Sequence, residues 1–161
     1  MSKVHFRIDD RLVHGQVVEG WVHTLGLTRI VIVSDRVSGD VSYRKLLEFS
    51  VPTEVTVDVF TLREASERFR KGYLEKEDTI VLFETPRDVL DLIDYGVAIE
   101  SINVGCMHYD GFNRKIKRNI AVSEEDIRDF KEINSMGAVI ECRALPKDKK
   151  VNLMELINRI K

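Results

Sequence analysis

Five side chains able to carry charge or move a proton crowd one short segment near the start of the chain. Within the eight residues from Arg7 to His14 stand Arg7, Asp9, Asp10, Arg11 and His14. An ordinary connection between a strand and a helix requires only a turn and a capping residue. Two carboxylates, two guanidiniums and one imidazole at a single turn therefore indicate a chemical site.

His14 is the candidate nucleophile of this segment. Near neutral pH an imidazole readily presents an unprotonated ring nitrogen. The helix predicted to begin near Gly15 has unpaired backbone N–H groups in its first turn, and such groups bind anions. Arg11 offers a planar guanidinium to phosphate oxygens, and either Asp9 or Asp10 could orient the imidazole or Arg11. This combination favours a phosphoryl acceptor, because phosphoryl transfer depends on alignment and positive potential.

The predicted roles in this segment fall into two groups. The predicted catalytic residues are His14, Arg11 and Asp10. The residues predicted to surround the phosphate are Gly15, Gln16 and Asp9. Taken alone, these residue types also fit a capping or surface histidine beside a structural salt bridge, and composition leaves both interpretations open.

Length and composition predict a single soluble domain in a reducing compartment. The chain has 161 residues, 43% of them hydrophobic and 32% charged, which suits one well-filled core over 1–161. A net charge of -2 gives no whole-chain attraction to nucleic acid or anionic membranes. The two cysteines, Cys106 and Cys142, are too few for a disulfide framework. Because the sequence shows neither a signal peptide nor a bilayer-spanning apolar run, we expect a cytoplasmic protein.

Two hydrophobic periods alternate along the chain. Short β-branched runs precede amphipathic stretches with helical spacing, a pattern that predicts βα units. The predicted fold class is α/β, a three-layer sandwich with a mostly parallel sheet of about seven strands and helices on both faces. The predicted strands occupy residues 4–8, 29–33, 54–60, 79–83, 100–104, 119–122 and 138–143. Helices are predicted to begin after the capping residues Thr61, Thr85 and Ser123.

A second loop should reach the same edge of the sheet as His14. In open parallel sheets, ligands bind beyond the carboxyl ends of the strands. The loop that begins at Gly105 follows the fifth predicted strand, and long connections of this kind are often functional. Gly105, Met107 and His108 are therefore candidates to line the site, although His108 also fits an exposed loop histidine.

Three other interpretations are weaker. The Cys-Met-His run at 106–108 matches no usual zinc spacing, so no metal site is predicted. Residues 15–20 have the outer glycine spacing of a nucleotide-binding P-loop, but Trp21 follows where Lys is required. The basic run 114–118 fits a solvated edge or a contact with an acidic or phosphorylated partner, and no nucleic-acid partner is predicted.

The segment 7–17 resembles the active-site loop of a known family. It reads Arg-Ile-Asp-Asp-Arg-Leu-Val-His-Gly-Gln-Val. This sequence is similar to that loop in the IIB components of the mannose/fructose/sorbose family of the phosphoenolpyruvate-dependent sugar phosphotransferase system. Weaker similarities at 102–108, 121–126 and 144–146 extend the resemblance over most of the chain.

The resemblance implies a role and a set of partners. It places the family's phosphorylated histidine on His14, its loop arginine on Arg11 and the preceding acid on Asp10. In this family a IIA protein or domain donates the phosphoryl group, and IIB passes it to a sugar bound in the IIC/IID membrane complex. The resemblance therefore implies a phosphohistidine-to-sugar transferase without a cofactor, acting at the inner face of the membrane through the permease. It leaves open whether the chain forms a homo-oligomer.

Two further hypotheses explain the same segment without sugar transfer. The chain could be a non-catalytic α/β module that binds an anionic ligand or a regulatory partner at this edge. It could also be a regulator that is phosphorylated on His14 and passes the group to no sugar. A covalent phosphate on His14 separates the first of these from the transferase.

Overall fold

A mostly parallel sheet forms the centre of the computed structural model, which describes residues 2–160. In chain order, the strands of this part are Val4–Asp9 (β1), Arg29–Val33 (β2), Thr56–Phe60 (β3), Thr79–Phe83 (β4), Ser101–Cys106 (β5), Arg114–Lys117 (β6), Ile120–Val122 (β7), Val139–Cys142 (β8) and Val151–Asn152 (β9). Seven of them form the main sheet in the order β3-β2-β4-β1-β5-β8-β9. Neighbours are parallel except β9, which is antiparallel to β8. The predicted sheet is confirmed.

Helices cover both faces of this sheet. They are Gly15–Val17 (α1), Asp35–Ser38 (α2), Val41–Phe49 (α3), Leu62–Arg70 (α4), Pro86–Asp94 (α5), Glu124–Ser135 (α6) and Leu153–Asn158 (α7), with a π-helical turn at Val18–His23 and a 3₁₀ turn at Tyr73–Glu75. The first three pack on one face, in a core with Ile30 and Ile80. The last four pack on the other, in a core with Val31 and Val81. The predicted three-layer sandwich is confirmed.

Side-chain alternation along each strand explains the two cores, because neighbouring residues point to opposite faces. Ile30 and Val31 of β2 are both fully buried, one in each core.

Among residues 2–160, no helix is long and apolar enough to cross a bilayer.

One part of the first face is charged instead of apolar. In one row across the sheet, Ile32 of β2 lies beside Leu82 of β4. The same row continues with Arg7 of β1, Asn103 of β5 and Glu141 of β8. These three polar residues are buried. Strands inside a parallel sheet are normally apolar on both faces. We call Arg7, Asn103 and Glu141 the polar row. The stability of the sheet does not require polar residues at these positions.

Three helix starts follow the predicted capping chemistry. Thr61, Thr85 and Ser123 each accept a hydrogen bond from the backbone N–H of the third residue of α4, α5 and α6. Such caps satisfy one of the unpaired N–H groups of a helix start. They fix where the chain leaves the carboxyl ends of β3, β4 and β7.

Three details differ from the sequence-based expectation. The strand predicted at 119–122 exists as β7, but it pairs with β6 in an antiparallel hairpin outside the main sheet. β6 lies in the basic run, whose charges hide any strand pattern. The seventh strand of the main sheet is β9, which has only 2 residues and is too short to show a period. The first helix begins at Gly15, where it was predicted to begin, but is π-helical over Val18–His23.

Candidate active site

The two predicted loops meet at the carboxyl ends of β1 and β5. β1 lies inside the main sheet, between β4 and β5. We call residues 10–14 the first loop and residues 107–113 the second loop. The backbone N–H of Asp10 donates to the carbonyl oxygen of Cys106 at 3.2 Å. The two loops therefore begin side by side, as predicted.

The carboxylate of Asp9 holds the first loop together. Asp9 is the last residue of β1, and its side chain is fully buried. Its Oδ2 accepts a hydrogen bond from Nη2 of Arg7 at 3.1 Å and lies 2.9 Å from Nε2 of His14. Its Oδ1 accepts from the backbone N–H and from Nε of Arg11, each at 3.1 Å. One carboxylate thus joins two guanidiniums and the imidazole.

These contacts keep Asp9 ionised and orient His14. Burial alone would raise the pKa of Asp9, but the hydrogen bonds of His14 and Arg11 and the charge of Arg7 outweigh it and lower the pKa to about 2. An ionised carboxylate only accepts hydrogen bonds. His14 must therefore donate through its Nε2–H, and in the neutral ring this leaves Nδ1 unprotonated.

Arg7 is the buried counter-charge of Asp9. Its side chain is fully buried, and its Nη2 also donates to Oε1 of Gln16 at 2.9 Å. Its Nη1 donates to Oδ1 of Asn103 at 2.5 Å. The guanidinium lies over the ring of Trp21, 5.0 Å from its centroid. Arg7 is therefore satisfied within the protein and does not reach solvent.

Gly105 makes room for this guanidinium. A Cβ built at Gly105 would lie 2.0 Å from Nη2 of Arg7. Real Cβ atoms essentially never approach another atom this closely, and buried Arg7 cannot move aside without breaking its hydrogen bonds to Asp9, Asn103 and Gln16. The prediction that Gly105 lines the phosphate site is therefore corrected. Gly105 contacts the arginine behind the site.

Asn103 and Glu141 of the polar row, together with Arg143, support Arg7 from behind, and none of the three was predicted as a site residue. Nδ2 of Asn103 donates to Oε1 of Glu141 at 3.2 Å, and Glu141 forms an ion pair with Arg143 at 2.8 Å. The carbonyl oxygen of Arg143 accepts from Nη1 of Arg7 at 3.1 Å. Sequence reasoning missed them because they lie on strands, or directly after one, far along the chain. The one signal was Arg7 itself, a charge on a central strand.

Arg11 and His14 are the members of the cluster that solvent reaches. Their side chains are 34% and 18% exposed, whereas those of Arg7 and Asp9 are 0% exposed. Gln16, which was predicted beside the phosphate, accepts from Nη2 of Arg11 at 3.0 Å and holds that side chain in place. An anion that approaches the site therefore meets Arg11 and His14 first.

Gly15 leaves open space at the N-terminal end of α1. No atom of the surrounding protein lies within 4 Å of a Cβ built there. His14 occupies the N-cap position in an extended conformation and makes no side-chain cap. The first backbone N–H groups of α1 are left without the side-chain partner that a cap would supply. This open start suits the predicted phosphate position.

Asp10 contacts the second loop instead of His14. Its carboxylate accepts a hydrogen bond from the backbone N–H of His108 at 2.7 Å and lies 2.6 Å from Nδ1 of that residue. Successive strand residues point to opposite sides, so Asp9 shares the side of Arg7 and Asp10 does not. Of the two acids that could orient the imidazole, the structure selects Asp9. The predicted grouping of Asp10 with His14 is corrected accordingly.

A cavity of about 320 Å³ lies beside Arg11. Met107 and His108 of the second loop line it, together with Lys115 and Arg118 of the basic run. Burial raises the pKa of the neighbouring Cys106 thiol to about 11, so this cysteine is protonated and is not a nucleophile at neutral pH. The cavity is therefore lined mainly by cationic and neutral groups.

Leu12 fixes the shape of the first loop at the expense of backbone strain. Its φ angle is 57°, in the left-handed region that costs a residue other than glycine about 1–3 kcal/mol. Its side chain is fully buried in the core under α1. Burying a leucine contributes about 1.5–3 kcal/mol, which offsets the strain. The loop is therefore held in one conformation by the core.

Known proteins match this chain over nearly its whole length. The family model described as "PTS system sorbose subfamily IIB component" matches residues 4–161. The fructose-specific EIIB component of Bacillus subtilis (strain 168) is 31% identical over 160 residues, covering 99% of this chain and 98% of that protein. The mannose-specific EIIAB component of Escherichia coli (strain K12) is 36% identical over 154 residues, covering 96% and 48%. The chain thus spans about half the length of that relative.

Solved structures share the fold. The IIBSor domain of the sorbose permease from Klebsiella pneumoniae superposes with a TM-score of 0.91 and 31% identity, covering 100% of this chain and 99% of that one. The N-acetylgalactosamine-specific IIB component 1 from Escherichia coli superposes with a TM-score of 0.84 and 29% identity, covering 92% and 97%. The order of strands and helices described above is therefore an arrangement with solved examples.

The two neighbouring acids should differ sharply in their contribution to stability. Asp9→Asn removes the carboxylate that pairs directly with buried Arg7, and breaking a buried pair costs about 3–5 kcal/mol. Asp10→Asn disturbs an exposed pair and should cost under about 1 kcal/mol. Urea unfolding of both variants measures the difference. Equal losses of unfolding free energy would contradict the assignment of Asp9 as the centre of the cluster.

Two glycines supply a second matched pair. Gly105→Ala should lower the unfolding free energy by about 3 kcal/mol or more, because the new methyl group overlaps the Arg7 guanidinium. Gly15→Ala meets open space and should change it by less than about 0.5 kcal/mol. Thermal and urea unfolding measure both. A Gly105→Ala protein as stable as Gly15→Ala would show that Arg7 is not packed as described.

Proposed function

The chain belongs to the IIB components of the sorbose subfamily of the phosphotransferase system, and from that premise we propose that it carries a phosphoryl group on His14. The donor is a phosphohistidine of a IIA protein or domain. The acceptor is a sugar bound in a IIC/IID membrane complex during uptake. The observation that carries the proposal is the 2.9 Å contact between Oδ2 of Asp9 and Nε2 of His14.

That contact supports Nδ1 as the reacting nitrogen. Because Nε2–H donates to Asp9, the lone pair of Nδ1 is free to attack phosphorus. The bond from Nδ1 to phosphorus forms as the bond from phosphorus to the donor nitrogen breaks, and the electron pair of the broken bond stays on the donor ring. No proton moves in this step. In enzymatic terms the chain is then a protein-Nπ-phosphohistidine–sugar phosphotransferase, since Nπ is Nδ1.

Asp9 also stabilises the product of that attack. A ring that carries a proton on Nε2 and a phosphoryl group on Nδ1 is positively charged. The ionised carboxylate lies at hydrogen-bond distance from the Nε2 of this ring and compensates its charge. The same attraction weakens when the group leaves for the sugar, because the ring becomes neutral again. Asp9 is therefore a positioning residue. It stabilises phosphorylated His14 without preventing the later transfer of the phosphoryl group to the sugar.

Arg11 supplies the positive potential for the moving phosphoryl group. Its inner edge is held by Asp9 and Gln16, so the side chain is fixed before the partner arrives. Its exposed part can bind phosphate oxygens as they gain charge in the transition state. Arg7 cannot take this role, because it is fully buried. The open start of α1 at Gly15 adds backbone N–H groups on the same side.

The partners and the sugar are proposed from the relatives. The Escherichia coli relative is named an EIIAB component, and this chain matches about half its length, which supports a IIA donor. The named relatives act in fructose, mannose and sorbose systems, which supports a sugar of that class. We place the chain in the cytoplasm, where it meets the permease at the inner face of the membrane.

Intact-mass measurement tests the acceptor. After incubation with phosphoenolpyruvate and the upstream phosphocarriers including IIA, the wild type should gain one phosphate that is labile to acid and stable to base. His14→Ala should gain none, and His23→Ala, which alters an exposed histidine, should behave as the wild type. A phosphate on folded His14→Ala would exclude His14. Saturable phosphate binding without any covalent adduct would favour the non-catalytic binding module instead.

Arg11 can be tested by the rate of transfer. Arg11→Ala should fold, because its side chain is on the surface of the cluster, but it should slow phosphoryl transfer from phospho-IIA by about 10²-fold. Arg36→Ala is the matched control, since Arg36 is exposed and paired with Glu84 on another loop. Rapid quenching followed by mass spectrometry measures both rates. An unchanged rate in Arg11→Ala would remove Arg11 from the site.

A further inference from the structure

Three metal-binding side chains converge beside the first loop. They are Asp10 of that loop, Cys106 at the end of β5 and His108 of the second loop. One carboxylate oxygen, the sulfur and one ring nitrogen all lie within 4.8 Å of one another. Among residues 2–160, no other group of three such donors comes together in this way. The proposed phosphoryl transfer to His14 makes no use of this arrangement.

The backbone holds these donors in place without a ligand. Asp10 N–H donates to the carbonyl of Cys106 at 3.2 Å, and His108 N–H donates to Oδ2 of Asp10 at 2.7 Å. Met107, between the two, forms a β-bridge with Ile120 of β7. Three donors are thus fixed by strand pairing and by two loop hydrogen bonds. Binding an ion here would need only small movements of side chains.

The donor types select a class of ion. A thiolate, an imidazole and a carboxylate are ligands of Zn²⁺ and of the neighbouring transition metals. Mg²⁺ and Ca²⁺ prefer sites made only of oxygen atoms. The usual zinc spacing is absent from the sequence because the third donor, Asp10, lies 98 positions before His108. The fold therefore supplies a donor that the motif at 106–108 lacks.

The cluster is open to solvent on two sides. The cavity of about 320 Å³ beside Arg11 reaches Cys106 and His108. A smaller cavity of about 190 Å³ is lined by Asp10, Met107 and His108. A cation can enter through the smaller cavity, whose lining also includes Glu84 and Asp126, and a fourth position remains for water. Three protein ligands with one open position is the usual form of an accessible zinc site.

We propose that Asp10, Cys106 and His108 bind one Zn²⁺-class transition-metal ion, which links the second loop to the first beside the phosphoryl site. The bonds formed are from the ion to Sγ, to Nδ1 and to a carboxylate oxygen. The thiol proton goes to solvent. For a neutral imidazole, the proton on Nδ1 moves to the exposed Nε2, so one proton is released for each ion bound. This proposal stands independently of whether His14 carries a phosphoryl group.

Cobalt titration of the tag-free protein tests the proposal, because Co²⁺ takes the same ligands and has visible spectra. We expect saturation at one equivalent, with a thiolate-to-cobalt charge-transfer band and the d–d bands of a four-coordinate ion. Zn²⁺ should displace the cobalt and abolish both. Absence of saturable binding, or binding with no thiolate band, would overturn the proposal.

Variants identify the ligands. Cys106→Ser should abolish the charge-transfer band. His108→Ala should weaken cobalt binding at least about tenfold, because loss of a residue that only hydrogen-bonds to a metal ligand already lowers affinity by that factor. His108 is 67% exposed, so its variant should fold normally. His23→Ala and His14→Ala, which alter other histidines, should bind cobalt as the wild type does. Unchanged binding in His108→Ala, or a charge-transfer band retained in Cys106→Ser, would show that the ion binds elsewhere.

Discussion

The ion pair between Arg7 and Asp9 is the interaction on which the site depends. Both side chains are fully buried, at 3.1 Å, in a protein interior where neither charge could persist alone. Such a pair gains little stability by itself, since desolvation offsets the attraction. Its effect here is to keep a carboxylate ionised at the end of β1. That carboxylate then fixes Arg11 and the tautomer of His14.

Several residues that are distant in the sequence supply the hydrogen bonds and the packing around this ion pair. Asn103, Gln16 and the carbonyl of Arg143 accept the remaining N–H groups of Arg7, and Trp21 covers its face. A glycine at 105 leaves the space that the guanidinium occupies. Leu12 anchors the strained first loop in the core. The result is a preorganised site, and preorganisation is what phosphoryl transfer requires of a protein.

The fold could be predicted from the sequence, but the contacts within the first loop could not be assigned. Alternating periods predict the parallel sheet and its helices, because burial of each face leaves a repeating pattern. The choice between Asp9 and Asp10 depends on where β1 ends. If the predicted first strand had extended to Asp9, the two-residue spacing between Arg7 and Asp9 would have placed both side chains on the same side of the sheet. Asn103 and Glu141 leave no local signal, because their partners lie on other strands.

In the proposed site, Asp9 holds Nε2 of His14 and leaves Nδ1 to carry the phosphoryl group. A two-bond ¹H–¹⁵N correlation spectrum of the phosphorylated protein, labelled with ¹⁵N-histidine, identifies the substituted nitrogen of His14 directly. We expect phosphate on Nδ1 and a proton on Nε2. Phosphate on Nε2 would require the hydrogen bond to Asp9 to break, and would contradict the proposed role of Asp9.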